Sequence, residues 1–138
     1  MATVSPTTIG VVGAGTMGRG IVQLFVQAGH TVYCHDAQPG AATKAIEHVD
    51  GMLARAVEKG RMAAADHERA RHRLKACSRL ADLAGCELVI EAIVEDLAVK
   101  RALFRELEGL LGEQAMLASN TSSLTVAEIA SACQRPER

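Results

Sequence analysis

Apolar positions along this chain fall into two alternating kinds of run. Short, almost continuous apolar stretches read as buried parallel strands: Thr8-Ile9-Gly10-Val11-Val12, Thr31-Val32-Tyr33-Cys34-His35, a weak Lys75-Ala76-Cys77-Ser78, Glu87-Leu88-Val89-Ile90-Glu91-Ala92 and Ala115-Met116-Leu117-Ala118. Longer stretches carry a helical period. Residues 16–28 put Met17, Ile21, Leu24, Phe25 and Ala28 on one stripe. Residues 96–111 align Leu97, the Lys100 stem, Leu103, Phe104, Leu107, Leu110 and Leu111. Each stripe predicts a helix lying on a sheet. Residues 80–84 read as a helical turn, and Leu124 to Cys133 as a last helix before Pro136. Strands alternating with helices imply an α/β fold with a doubly wound parallel sheet, whose ligands sit at the carboxyl ends of the strands.

One segment departs from this rhythm. Residues 40–74 are rich in Ala, Arg, Lys and Glu, show no strand signal and break near Gly60. They predict two charged antiparallel helices, about 40–59 and 64–74, between strands two and three. That is long for an ordinary crossover, so the excess reads as a projecting helical arm.

The candidate chemistry begins where the first strand meets the first helix. Gly13-Ala14-Gly15-Thr16-Met17-Gly18 is a G-x-G-x-x-G turn in the strand–helix setting of the Rossmann dinucleotide fold. Gly13 allows the tight turn, Gly15 lets the backbone approach a pyrophosphate, and Gly18 lets the helix pack against its strand. Helix amides and the positive end of the dipole then face the phosphates. Gly29 stops the helix, and Asp36 ends the second strand 18 residues after Gly18. An acid at that spacing accepts hydrogen bonds from adenosine ribose hydroxyls and repels a 2′-phosphate, which favours NAD over NADP. Asp is also common as a plain turn residue at a strand end.

The totals narrow the classes. At 138 residues the chain reads as one domain with room for a core. A net charge of −1 with dispersed basic residues implies neither nucleic acid nor an anionic membrane as partner. Phe25, Tyr33 and Phe104 are too few aromatics for single-stranded nucleic acid. No apolar run approaches a membrane span, and the first eight residues show no secretion signal. Cys34, Cys77, Cys86 and Cys133 lack C-x-x-C spacing, which suits reduced buried thiols in a cytoplasm rather than a metal site.

Two further segments, with the glycine turn and Asp36, carry a resemblance. Glu91-Ala92-Ile93-Val94-Glu95, followed by Lys100, comes after the fourth strand, and Ser119-Asn120-Thr121-Ser122-Ser123 after the fifth. Together they are similar to the NAD-binding domain of the L-3-hydroxyacyl-CoA dehydrogenases, including bacterial 3-hydroxybutyryl-CoA enzymes. The charged helical pair resembles that family's arm. The resemblance spans Ile9 to Arg138. It implies that Glu95 and Lys100 contact NAD, that Ser122 lies beside the nicotinamide and hydrogen-bonds the substrate oxygen, and that Lys59 contacts coenzyme A. Ser122 or Ser123 could instead cap the last helix, and Lys59 could belong to a solvated face.

The family pattern continues with a His-Phe-Phe-Asn-Pro segment bearing the catalytic histidine, then a helical substrate and dimerisation domain. Residues 1–138 therefore read as the NAD-binding domain alone, without its general base and inactive by itself, of a parent expected to be a cytoplasmic homodimer that oxidises 3-hydroxyacyl-CoA. His30 and His35 flank strand two; His48, His67 and His72 lie in the arm; none suits the base's place. Two other readings compete. One is a non-catalytic, crystallin-like NAD-binding relative. The other is a β-hydroxyacid dehydrogenase, which shares the G-x-G-x-M-G turn but typically has a basic residue where this chain has Asp36 and lacks Ser-Asn-Thr-Ser-Ser.

Overall fold

A computed structural model describes residues 7–121 and 124–138. Five parallel strands, β1 (Thr8–Val12), β2 (Thr31–His35), β3 (Leu74–Cys77), β4 (Leu88–Glu91) and β5 (Met116–Ser119), form one sheet in the order β3-β2-β1-β4-β5. The chain winds outward from β1 in one direction through β3, then crosses back to β4 and β5. The strand order thus reverses beside β1, which opens a crevice at the carboxyl ends of β1 and β4.

Alternation along β1 divides the core. Ile9 and Val11 face a layer made by α1 (Thr16–Gln27), α2 (Ala41–Glu58) and α3 (Ala64–Arg73). Val12 faces the opposite layer with Leu83, Cys86, Val89, Leu107 and Leu111, where a 3₁₀ turn (Leu80–Leu83) and α4 (Leu97–Leu110) pack. The sheet is covered on both faces, as a parallel sheet requires.

Three expectations change. The buried face of α1 is Gly18, Val22 and Val26, while Met17 and Leu24 are 61% and 64% exposed and Ala28 also faces solvent. Gly18 decides this rotation. A Cβ there would stand 1.7 Å from the Gly13 carbonyl oxygen, so Gly18 must point at the strand end. Met17, Leu24 and Ala28 turn outward, while Ile21 and Phe25 stay half-buried against the core. The helical pair between β2 and β3 is present, but its first helix is itself a crossover helix: Ala42, Ala45, Val49 and Leu53 are buried against the sheet. Gly60, at a left-handed φ of 71°, turns the chain into α3, which is held to α2 by His67 Nε2 and Asp50 Oδ1 at 2.7 Å. The last helix, α5 (Val126–Ala130), is shorter than the apolar pattern suggests. Thr125 caps it by accepting from the Glu128 amide at 3.3 Å, and Pro136 lies beyond.

Candidate functional site

The crevice is built from the ends of β1, β2, β4 and β5. Gly13 leaves β1 at φ 112°, a conformation L side chains rarely adopt, and a Cβ there would lie 2.4 Å from the Ala92 carbonyl oxygen. The Gly13 amide donates to the His35 carbonyl at 2.8 Å, which ties the turn to β2. Gly15 is different. It has ordinary backbone angles at the head of α1, and a Cβ there would meet nothing within 4 Å. No side chain caps this helix and no acid lies in its first turn. An α-helix leaves its first amides without partners inside the helix, so Thr16 and Met17 present theirs at an open, electropositive end. Those are the conditions a pyrophosphate needs.

Asp36 faces this turn. Its Oδ2 accepts from the Ala14 amide and its Oδ1 from the Gln38 amide, each at 2.8 Å. The Ala14 amide is therefore engaged by the protein, which leaves the phosphate-facing role to the residues after it. Two backbone donors fix the Asp36 carboxylate, and its remaining lone pairs stay available to ribose hydroxyls. A cleft of about 640 Å³ opens beside it, walled by Val12, Gly13, Gly15, Ala92, Val94 and Leu103. Its largely apolar walls and the Asp36 carboxylate held at the turn suit the adenosine half of a dinucleotide.

A buried polar cluster lies under the ends of β4 and β5. Glu91, the last residue of β4, is fully buried, as is Lys100 on α4. Lys100 Nζ donates to Glu91 Oε2 and to Glu95 Oε1, both at 2.7 Å. Burial works against the lysine's charge, but the hydrogen bonds and charges of Glu91 and Glu95 outweigh it and hold its pKa above the ordinary lysine value. Glu95 reaches the surface and accepts from Thr121 Oγ1 at 2.7 Å. Glu91 also accepts from Ser119 Oγ at 2.5 Å and from the Ile93 amide at 2.7 Å. The family resemblance pointed to Glu95 and Lys100. It gave no sign that Glu91 is buried and joins them, since an acid at the rim of a strand is equally compatible with solvent.

Ser122 and Ser123 lie outside the described residues. The flanking loop is anchored: the Leu124 amide donates to Thr121 Oγ1 at 3.1 Å, and the Thr121 amide to Ser119 Oγ at 3.2 Å. The cap of α5 is Thr125. Lys59 is far from these groups in sequence and lines a different cleft. It ends α2, a helix about 27 Å long at 1.5 Å per residue. There it is exposed beside a cleft of about 610 Å³ shared with Arg55, Arg61, Arg69 and Arg73. Asp66 pairs with Arg69 at the same place. Several histidines have structural partners: His30 Nδ1 accepts from the Thr7 amide at 3.0 Å, His35 Nδ1 lies 3.1 Å from the Cys77 carbonyl, and His67 meets Asp50. Among the described residues, no group of His, Cys, Asp or Glu is arranged to hold a metal ion, and no helix is long and apolar enough to cross a membrane.

Residues 8–138 match the family model described as 3-hydroxyacyl-CoA dehydrogenase, NAD binding domain. The chain is 38% identical over 130 residues to a 3-hydroxybutyryl-CoA dehydrogenase of Clostridioides difficile, covering 94% of this chain and 46% of that protein. It is 40% identical over 130 residues to one from Bradyrhizobium diazoefficiens, covering 94% and 44%. Among solved structures, it superposes on the 3-hydroxybutyryl-CoA dehydrogenase from Escherichia coli with a TM-score of 0.92 at 37% identity, over 97% of this chain and 28% of that one. The (S)-3-hydroxybutyryl-CoA dehydrogenase from Ralstonia eutropha gives 0.89 at 34% identity, over 96% and 47%. The chain thus spans less than half the length of these relatives.

Proposed function

Because this chain belongs to the NAD-binding domain family of the 3-hydroxyacyl-CoA dehydrogenases, we propose that it binds NAD for a protein that oxidises an L-3-hydroxyacyl-CoA to the 3-oxoacyl-CoA. The observation that carries this reading is the pairing of an open helix head at Gly15 with the Asp36 carboxylate fixed across the turn at the Ala14 amide. Gly13, Gly15 and Gly18 shape the turn, and the Thr16 and Met17 amides meet the pyrophosphate. Ala14 acts through Asp36. The Asp36 carboxylate takes the ribose hydroxyls and repels a 2′-phosphate, so NAD is preferred to NADP.

Bound NAD supplies the hydride acceptor; this chain's residues orient it. Glu95, held by Lys100 and Thr121, faces the nicotinamide half. Ser122 hydrogen-bonds the substrate oxygen. Lys59, with the arginines around it, takes the phosphates of coenzyme A, and the length of α2 suits a substrate whose nucleotide lies far from its reacting carbon. The domain of residues 1–138 serves a cytoplasmic homodimer, with no nucleic-acid partner.

Calorimetric titration with NAD and NADP tests the cofactor half, and equal affinities would remove the role given to Asp36. NADH formation from 3-hydroxybutyryl-CoA by the protein that carries this domain tests the reaction. NAD binding without turnover on any hydroxyacyl-CoA would favour a crystallin-like, non-catalytic relative.

A further inference from the structure

We propose that Glu91 is a positioning residue for the nicotinamide end of the site: buried beneath it, Glu91 closes a hydrogen-bonded ring with Lys100, Glu95, Thr121 and Ser119 that ties the β4–α4 loop to residues 119–121 at the end of β5. This rests on the cofactor reading above. The ring can be followed atom by atom. Glu91 Oε2 accepts from Lys100 Nζ, whose second proton goes to Glu95 Oε1. Glu95 Oε2 accepts from Thr121 Oγ1, the Thr121 amide donates to Ser119 Oγ, and Ser119 Oγ donates to Glu91 Oε1. The Glu91 carbonyl also accepts from the Asn120 amide at 2.8 Å, which extends the strand pairing into the same loop. Thr121 immediately precedes Ser122.

Stability alone does not account for such a group. Taking a lysine and a carboxylate fully out of water costs several kcal/mol each, and a buried pair is often replaceable by apolar side chains without loss. What the ring achieves is registration. The β4–α4 loop and residues 119–121 share a small set of charge-assisted bonds, and displacing any member moves both. Glu91 has no exposed surface, so its effect on a ligand must pass through Glu95, Thr121 and Ser119.

The test separates the two halves of the cofactor. ADP-ribose keeps the pyrophosphate and adenosine contacts and lacks nicotinamide; NADH has both. Glu91→Gln and, separately, Ser119→Ala are titrated with each, with thermal unfolding to monitor the fold. In both variants NADH should weaken about tenfold, as one charge-assisted hydrogen bond is worth, while ADP-ribose changes less than about twofold. The fluorescence of bound NADH should shift towards that of the free cofactor. Ser119→Thr, which keeps the hydroxyl, should restore NADH binding. Should Glu91→Gln fail to fold, the two Ser119 variants decide the matter. Parallel losses for both ligands, or no loss for either in a folded variant, would overturn the positioning role while leaving the cofactor reading intact. Failure of the unaltered protein to bind either ligand would overturn the cofactor reading itself.

Discussion

Gly15 and Gly18 stand three residues apart in one turn and meet opposite constraints. A side chain at Gly18 collides with the Gly13 backbone in the turn that leaves β1, whereas one at Gly15 projects into open space beside the helix head. Gly18→Ala should therefore destabilise the domain by about 1–3 kcal/mol or more through overpacking, seen as a lower urea midpoint. Gly15→Val should leave the midpoint nearly unchanged and remove NAD binding in calorimetry; a variant that still binds NAD would reduce the motif to a folding device. Asp36→Ala should weaken NAD about tenfold and narrow its advantage over NADP, since it removes the carboxylate that the Ala14 amide holds in place. These residues are legible in the sequence because each role is local, set by backbone geometry at a fixed offset from a strand. Glu91 is not legible for the complementary reason. Whether a strand-end acid meets water or a buried lysine depends on a helix nine residues further on.

At the level of elements, all five strands and the helices that cover them stand near their expected places, because apolar runs bounded by polar loops mark buried strands directly. Helix rotation is a different matter. Met17 and Leu24 have the larger apolar side chains, but the close approach demanded by Gly18 turns Val22 and Val26 to the sheet, with Ile21 and Phe25 half-buried at the flank. A hydrophobicity pattern weighs volume and does not register contact distance. Helix α2 shows the same limit. Its many charges suggest an arm standing away from the domain, yet small apolar residues at Ala42, Ala45, Val49 and Leu53 form a buried seam. Leu53 is 0% exposed, so Leu53→Ala should cost about 2–5 kcal/mol in urea unfolding. A loss below about 0.5 kcal/mol, the usual scale of surface substitutions, would mean that the helix contributes little to the core.

Across the whole molecule, three buried thiols report on both layers at once. Cys34 lies in the layer of α1 to α3, while Cys77 and Cys86 lie in the layer of α4. Burial, aided by Asp36 and Cys77, pushes the Cys34 thiol up to about 12. Burial with Asp82 raises Cys77 to about 11, and burial with Cys77 raises Cys86 to about 12. An unfolded chain releases these protons near 9.0, whereas the fold retains them. Between those limits the native state binds more protons, so stability must fall as pH rises, by about 1.4 kcal/mol per pH unit for each whole proton retained. Lys100 has the same sign in a higher window. Its folded pKa is raised, so its contribution is complete below 10.5 and is lost as pH climbs through the folded value. Urea midpoints under reducing conditions should thus stay nearly level from pH 7 to about 9, then decline steeply. Replacing Cys34, Cys77 and Cys86 together by Ala lowers the plateau through lost packing but should move the onset of decline towards the lysine window. An unchanged onset in that variant, or a level midpoint through pH 10.5 in the unaltered protein, would show that the thiols are not held protonated by the core.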